Sequence, residues 1–547
     1  MFGKSAALAG GGSHAACRGG RTQYHGVVRE IPRLGTNSTT AWYKWYQAVV
    51  AECRCFAGIT QGRHTERCRR DACDPNKGGY APFYINLHGI PTHTTMKEER
   101  ANFGSKIGMI LATAGSAVGL GNIWRFPYMA GEHGGAAFIL VYAACIALLG
   151  IPCMVAEFVV GRHGAANASR AYARIGGHKA WKGVGVMGVV TGFAIISYYT
   201  VVSGWCLQYV WAAAAGQLEG SPESISAYFE SFSKDPVRPA LWAVAFMLGT
   251  HFVIIHGVRG GIERASKLLM PALFALLLAV VAAACTLPGA GNGVEFLLKP
   301  DFSKIDGSVL LGALGQAFYS LSIGMGCICT YASYYSRQTD LVRSAVQISF
   351  LDSLVAILAG LVIFPAAFSV GISPDSGPSL TFITLPNVFQ QAFSGSPAVW
   401  LIASVSFYVL LSLAAFTSLI SLHEVCTAFI SEELHMSRRK GAAVVTAAGC
   451  LLGVLCALSV AEPEWVAVAG MPLFDFFDFT TGQILLPLGG LLTCIVVGWW
   501  APKAVVRDQF TNWGTVNRAL YRSWIFLVGV VCPVLISAIF VNQLFMS

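Results

Sequence analysis

The chain has 547 residues, 55% of them hydrophobic and 12% charged, against roughly a quarter charged in an average soluble domain. That composition argues against a soluble enzyme of this size. The formal charge is +9, but residues 1–95 carry 12 Lys and Arg against 5 Asp and Glu, which leaves 25 basic and 23 acidic residues over the other 452. A nucleic-acid partner needs basic residues gathered on one folded face, and that balance does not provide one.

Residues 1–95 are rich in Gly, Arg, His and Cys and show no sustained apolar period of 2 or 3.6. They are expected to be a disordered extension or to lie outside the native protein. Met96, followed at once by Lys97, Glu98, Glu99 and Arg100, reads as the start. Cys53, Cys55, His64, Cys68 and Cys73 lack the paired C-x2-C spacing of a zinc knuckle. No continuous apolar signal-peptide core is present in this segment. Of the 16 cysteines, five lie here and 11 fall in or beside apolar runs, where a free thiol behaves as a small apolar residue.

From residue 106 onward, apolar blocks of about 20 residues or more recur, each long enough as a helix to cross roughly 30 Å of hydrocarbon. Eleven spans are expected, at 106–130, 136–161, 183–214, 239–257, 266–287, 308–335, 342–371, 399–430, 441–459, 474–499 and 521–545. They are called spans one to eleven below. Helices are expected because spanning backbone must satisfy its own hydrogen bonds. The fold class is therefore an all-α polytopic membrane protein. Counting from residues 162–182, alternate loops hold 17 Lys and Arg, whereas the opposite loops hold 4. Basic residues accumulate on the cytoplasmic side, which puts the N-terminus inside and the C-terminus outside, in the cell membrane.

Two spans depart from a lipid-facing helix. Span one contains AGSAVGLGNIWRFP, with Gly115, Gly119 and Gly121 followed by Asn122, Arg125 and Pro127. Close helix packing explains the glycines but not the Asn and Arg, which are costly at membrane depth. Span six repeats the pattern in GQAFYSLSIGMGCICTYASYY, where Gly324, Met325 and Gly326 follow Ser320 and Ser322. Interrupted helices five spans apart point to an inverted-repeat transporter with its site at the midplane. Such a break frees N–H groups that suit a carboxylate and carbonyls that suit a cation.

At this point the chain resembles the neurotransmitter:sodium symporters, from about Met96 to its end. The most specific stretch is GSAVGLGNIWRFPY at 115–128, supported by GIPCMVAEFVVGR at 150–162, GIERASKLLMP at 261–271, SLSIGMGCICTYASY at 320–334, LVAILAGLVIFP at 354–365 and ILLPLGGLL at 484–492. The resemblance implies the leucine-transporter-like fold: spans one to five repeated inverted as six to ten, with one extra span. It also implies a sodium-coupled importer of an amino acid, working by alternating access, with two sodium ions as co-transported cargo and no organic cofactor. The bilayer and the amino acid are the implied partners.

By the same resemblance, N–H groups near Leu120 and Gly121, with Tyr199, take the substrate carboxylate. Carbonyls of Ala117, Tyr319 and Ser320, with the Ser322 hydroxyl, take the ammonium. Gly119 stands where monoamine-transporting relatives carry an Asp, which favours a substrate that brings its own carboxylate. The first ion falls to Ala117, Asn122, Ser320 and Asp352, and the second to carbonyls of Gly115, Val118 and Ala414 with hydroxyls of Thr417 and Ser418. Taken alone, those two hydroxyls also fit bonding back to their own helix. Asp352 replaces the Asn of the leucine-transporter pattern, and Ala356 occupies the place of a chloride-binding hydroxyl in animal members. Asp352 is accordingly expected to supply the charge that chloride brings there. Arg125 with Asp478 is the expected outer gate, and Arg100 with Glu432, near Tyr334, the inner one. Ile195, Tyr319, Ser322, Met325 and Leu422 map onto the side-chain pocket and favour a hydrophobic or aromatic amino acid. Glu157 and Glu424 are further buried acids, assigned to bracing the broken helices or to proton exchange.

Two other readings remain at this stage. A substrate-sensing receptor on the same scaffold would bind without accumulating. An intramembrane enzyme using Glu157, Asp352 and Glu424 lacks any nucleophile–base pair or H-E-x-x-H motif, and adjacent His423 and Glu424 point about 100° apart on a helix.

Overall fold

The computed structural model describes residues 102–371, 381–393, 395–462, 464, 466–515 and 518–545. The expected extension at 1–95, the expected start at Met96 and Arg100 lie outside the described residues. Helices cover nine of the expected spans, with ends within about eight residues of those expected: Ala136–Gly164, Lys179–Ala214, Arg238–Ile255, Val258–Cys285, Leu341–Ser369, Pro397–Glu433, Arg438–Ala461, Leu473–Trp500 and Ala519–Ala538. By length and composition, nine described helices can cross a membrane, and ten if the bent pair in span one counts as one. Span six falls below that test because it is split into Gly307–Ser320 and Cys327–Ala332.

Leu248, Phe252, Leu268, Leu278, Phe350, Ile402 and Leu451 stay more than half exposed. On a soluble protein such a surface would be an aggregation liability. On a spanning bundle it is the face that meets lipid. Trp211, Trp499 and Trp500, also exposed near helix ends, suit the headgroup level. Inside, span three packs along span eight, and the first half of span one is held by spans five, seven and eight.

The two breaks have different local causes. Span one bends by 54° between Lys106–Ala117 and Gly121–Glu132, with Val118 extended at φ −69°, ψ 106°. Its glycines take no positive φ. They are needed for closeness: a Cβ on Gly119 would sit 2.5 Å from Ser418 Oγ and 3.0 Å from the Tyr199 hydroxyl, and one on Gly121 would sit 2.9 Å from the Tyr319 ring. Close packing, the reading the sequence offered for these glycines, is thus what Gly119 and Gly121 provide. In span six the conformational reason holds, since Gly324 and Gly326 have φ of 90° and 76°, and Ser322 is also left-handed at 54°. Gly324 also packs on span ten, where a Cβ would strike the Leu486 carbonyl.

The unwound stretch of span six is braced from span two. Glu157, fully buried, accepts the Gly324 N–H at 2.7 Å and the Cys329 N–H at 3.2 Å. One carboxylate thereby satisfies two backbone donors that the break leaves without helical partners.

Candidate functional site

One cavity lies between the breaks, lined by spans one, three, six and eight. It brings together Ala117, Gly119, Gly121, Ile195, Tyr199, Tyr319, Ser320, Ser322, Met325 and Leu422. The Leu120 N–H donates to the Tyr199 hydroxyl at 3.2 Å, which puts that phenol beside the freed backbone of span one. The Ser322 hydroxyl donates to the Ser116 carbonyl at 2.9 Å across the two breaks. Polar groups therefore sit at the backbone side of the cavity, and Ile195, Met325 and Leu422 make the rest of its wall apolar. Few polar groups in an apolar hollow is the usual form of a small-molecule site.

Beside the cavity, Asn122, Ser320 and Asp352 form one network. The Asn122 amide nitrogen donates to Asp352 Oδ1 at 2.7 Å, to the Asp352 carbonyl at 3.1 Å and to Ser320 Oγ at 3.0 Å. Ser320 Oγ donates in turn to Asp352 Oδ2 at 2.8 Å, and Asn122 Oδ1 accepts the Gly119 N–H at 3.0 Å. Tyr142 of span two adds its hydroxyl to Asp352 Oδ2 at 3.3 Å, a partner that sequence reasoning missed. Asp352 and Asn122 are both fully buried. An uncompensated carboxylate there would be costly, so a cation adjoining this network would be stabilised.

On the opposite flank, Ser418 Oγ reaches the Gly115 carbonyl at 3.4 Å and the Val118 carbonyl at 3.2 Å. Thr417 Oγ1 lies 3.5 Å from the Val118 carbonyl and 3.0 Å from that of Ala414. Oxygens held about 2.4 Å from one ion at right angles lie about 3.4 Å apart, and hard cations take such all-oxygen shells. The four distances, each a hydroxyl-to-carbonyl hydrogen bond here, fall in the range that neighbouring oxygens of such a shell span. Bonding back within the helix is part of the picture for Thr417, which also lies 3.3 Å from the Leu413 carbonyl, whereas both Ser418 contacts cross to span one.

The expected gate residues are placed less simply. The Arg125 guanidinium lies over the Tyr319 ring, 4.6 Å from its centroid, a cation–π position. Among the described residues no direct ion pair joins it to Asp478, although each lies within electrostatic reach of the other. Glu432 accepts the backbone and side-chain N–H groups of Asn167, at 2.8 and 3.1 Å, at the start of the short helix Ala168–Gly176. The Tyr334 hydroxyl donates to Glu424 at 2.7 Å. Glu424, fully buried, is also clasped by both terminal nitrogens of Arg438, so it ties spans six, eight and nine together. Sequence reasoning also missed Gln316, which donates to the Gly121 carbonyl at 3.0 Å, and Ser116 and Cys327 in the cavity wall. The Ser116 hydroxyl is buried beside Cys327.

Comparison with known proteins bears on this arrangement. The chain matches the Sodium:neurotransmitter symporter family over residues 100–222 and 234–547. It is 37% identical to the uncharacterized sodium-dependent transporter YhdH of Bacillus subtilis, over 82% of this chain and 98% of that protein. It is 25% identical to the human sodium- and chloride-dependent GABA transporter 2, over 79% of each chain. Among solved structures it is similar to MhsT in complex with L-phenylalanine, at 39% identity and a TM-score of 0.74, covering 81% of this chain and all of that one.

Proposed function

Because the chain belongs to the sodium:neurotransmitter symporter family, we propose that this multi-pass membrane protein imports an aromatic or large hydrophobic amino acid together with sodium, by alternating access around the cavity between spans one and six. One observation carries the reading. The cavity wall includes Ala117 and Ser320 from one all-oxygen set and Ser418 from the other, so an ion and a zwitterion bound there would be neighbours. In the proposed complex the substrate carboxylate meets the Leu120 and Gly121 N–H groups and the Tyr199 hydroxyl. It also completes the shell of a sodium ion held by Ala117, Asn122, Ser320 and Asp352. Neither partner leaves water cheaply alone, and each offsets the other's charge. A second sodium occupies the Gly115, Val118, Ala414, Thr417 and Ser418 set, bridging the inner half of span one to span eight.

An aromatic side chain fits the apolar wall of Ile195, Met325 and Leu422, with Tyr319 at its edge, and the similar transporter was solved with L-phenylalanine. Asp352 provides the fixed negative charge beside the first ion, in place of chloride. The N-terminus lies in the cytoplasm and eleven spans cross the membrane. Direction comes from the sodium gradient and the membrane potential, about 2.3 kcal/mol per charge at 100 mV. A panel of amino acids competing with labelled phenylalanine for the purified protein, with and without sodium, tests the reading. Aromatic and large aliphatic competitors should win, and only with sodium present. Equal binding without sodium would count against it.

A further inference from the structure

Three cysteines far apart in the sequence meet inside the bundle: Cys153 of span two, Cys494 of span ten and Cys532 of span eleven. All three are fully buried, and their sulfurs lie within 4.8 Å of one another, with Cys153 and Cys494 at 3.4 Å. Each also borders a π-helical turn: Ile146–Gly150 just before Cys153, Val496–Trp500 just after Cys494 and Leu527–Val531 immediately before Cys532. Such turns carry a cost and occur often at functional sites. Three helices that merely needed small apolar residues at a crossing would not require three thiols.

From this geometry we propose that Cys153, Cys494 and Cys532 form an intramembrane binding site for a soft monovalent ion of the copper(I) class. Three sulfurs about 2.3 Å from a central ion in a plane lie about 4.0 Å apart, a spacing the cluster meets with small side-chain rotations. Thiolate and thiol sulfur select soft ions. No fourth His, Cys, Asp or Glu joins the group among the described residues, which disfavours zinc because its structural sites take four ligands. As copper(I) enters, one thiol releases its proton to water. One thiolate and two thiols then hold the ion with no net charge, the state an apolar interior favours. The nearest hollow to the thiols approaches them along two of the three helices. A second cavity, lined by Arg125, Leu486, Pro487 and Ile536 among others, reaches Ile536, one helical turn from Cys532 on the same face. It also reaches Pro487, two turns from Cys494.

The site also adjoins the transport machinery. Cys153 lies one turn from Glu157, which braces the break in span six, and Cys494 lies one turn from Gly490, which packs on Phe318 of that span. Bound copper(I) would tie spans two, ten and eleven together at that level and slow the cycle.

The test uses the full chain with Cys17, Cys53, Cys55, Cys68 and Cys73 changed to Ser, so that the N-terminal thiols do not compete. Copper(I), supplied anaerobically and buffered by a chromogenic copper(I) chelator, should bind at about one ion per chain, with X-ray absorption showing three sulfur ligands at about 2.3 Å. Cys494→Ala and Cys532→Ser should each weaken binding by roughly 100-fold or more. Undiminished binding in either variant, or a shell of nitrogen, oxygen or fewer than three sulfurs, would overturn the proposal. If neither variant folds, the absorption spectrum of the parent protein decides on the same criterion.

Discussion

Asn122 and Asp352, 230 residues apart in the chain, meet at 2.7 Å between the amide nitrogen and Oδ1. The contact joins the break of span one to the middle of span seven, and Ser320 closes it from span six. A local change at any of these three residues therefore reaches the cavity between the breaks and the proposed ion position at once.

Asn122→Ala removes an oxygen from the first ion set and the donor that orients Asp352. Sodium and amino acid affinity should fall together, each by about tenfold or more, because coupling between two ligands is reciprocal. Amino acid binding measured across a sodium titration checks this, and a variant with unchanged sodium affinity contradicts shared coordination.

If Asp352 supplies the fixed charge, uptake by the native protein should be unaffected when gluconate replaces chloride. Asp352→Asn should lose most of its transport, since the ion then lacks a compensating charge in a buried site. Uptake in the native protein that vanishes in gluconate would contradict the assignment.

Gly119→Ala places a methyl where Ser418 Oγ and the Tyr199 hydroxyl already stand. Overpacking of this kind costs about 1–3 kcal/mol. Both substrate affinity and the sodium dependence assigned to Ser418 should suffer, as binding isotherms would report. The same substitution at Gly183, where a Cβ meets nothing within 4 Å, should leave both unchanged.

Glu157→Gln keeps the size of the brace but turns an amide N–H toward a backbone donor, so either Gly324 or Cys329 loses its acceptor. A buried donor left unpaired costs about 1–3 kcal/mol. The melting temperature of the detergent-solubilised protein should drop, and transport with it. An unchanged melting temperature would mean that the break in span six does not depend on this carboxylate.

Much of this was legible in the sequence because broken spans contradict the composition around them. Asn122, Ser320 and Asp352 are polar residues in apolar runs, and that contrast survives without any structure. The resemblance then supplied the register that pairs them. Relations between helices were harder to read. Tyr142 is one of 18 tyrosines, and nothing local marks it as the one facing Asp352. Arg125 was expected against Asp478 but lies over the Tyr319 ring, a relation between spans one and six that sequence spacing does not encode. Tyr334 and Glu424 were read separately, yet Arg438 and the Tyr334 hydroxyl share one carboxylate. The glycines of span one could be read as close packing, but which neighbours they admit, Ser418 and Tyr199 at Gly119 and Tyr319 at Gly121, is a property of the neighbours and not of the residue itself. The thiols of Cys153 and Cys494, 341 positions apart, were indistinguishable in sequence from small apolar filler.

The most direct test of the account is uptake of labelled phenylalanine into sealed vesicles containing the purified protein, with sodium imposed at higher concentration outside. The account predicts accumulation above the external concentration, abolished when the sodium gradient is collapsed. Binding that saturates without accumulation, or accumulation indifferent to sodium, would contradict it.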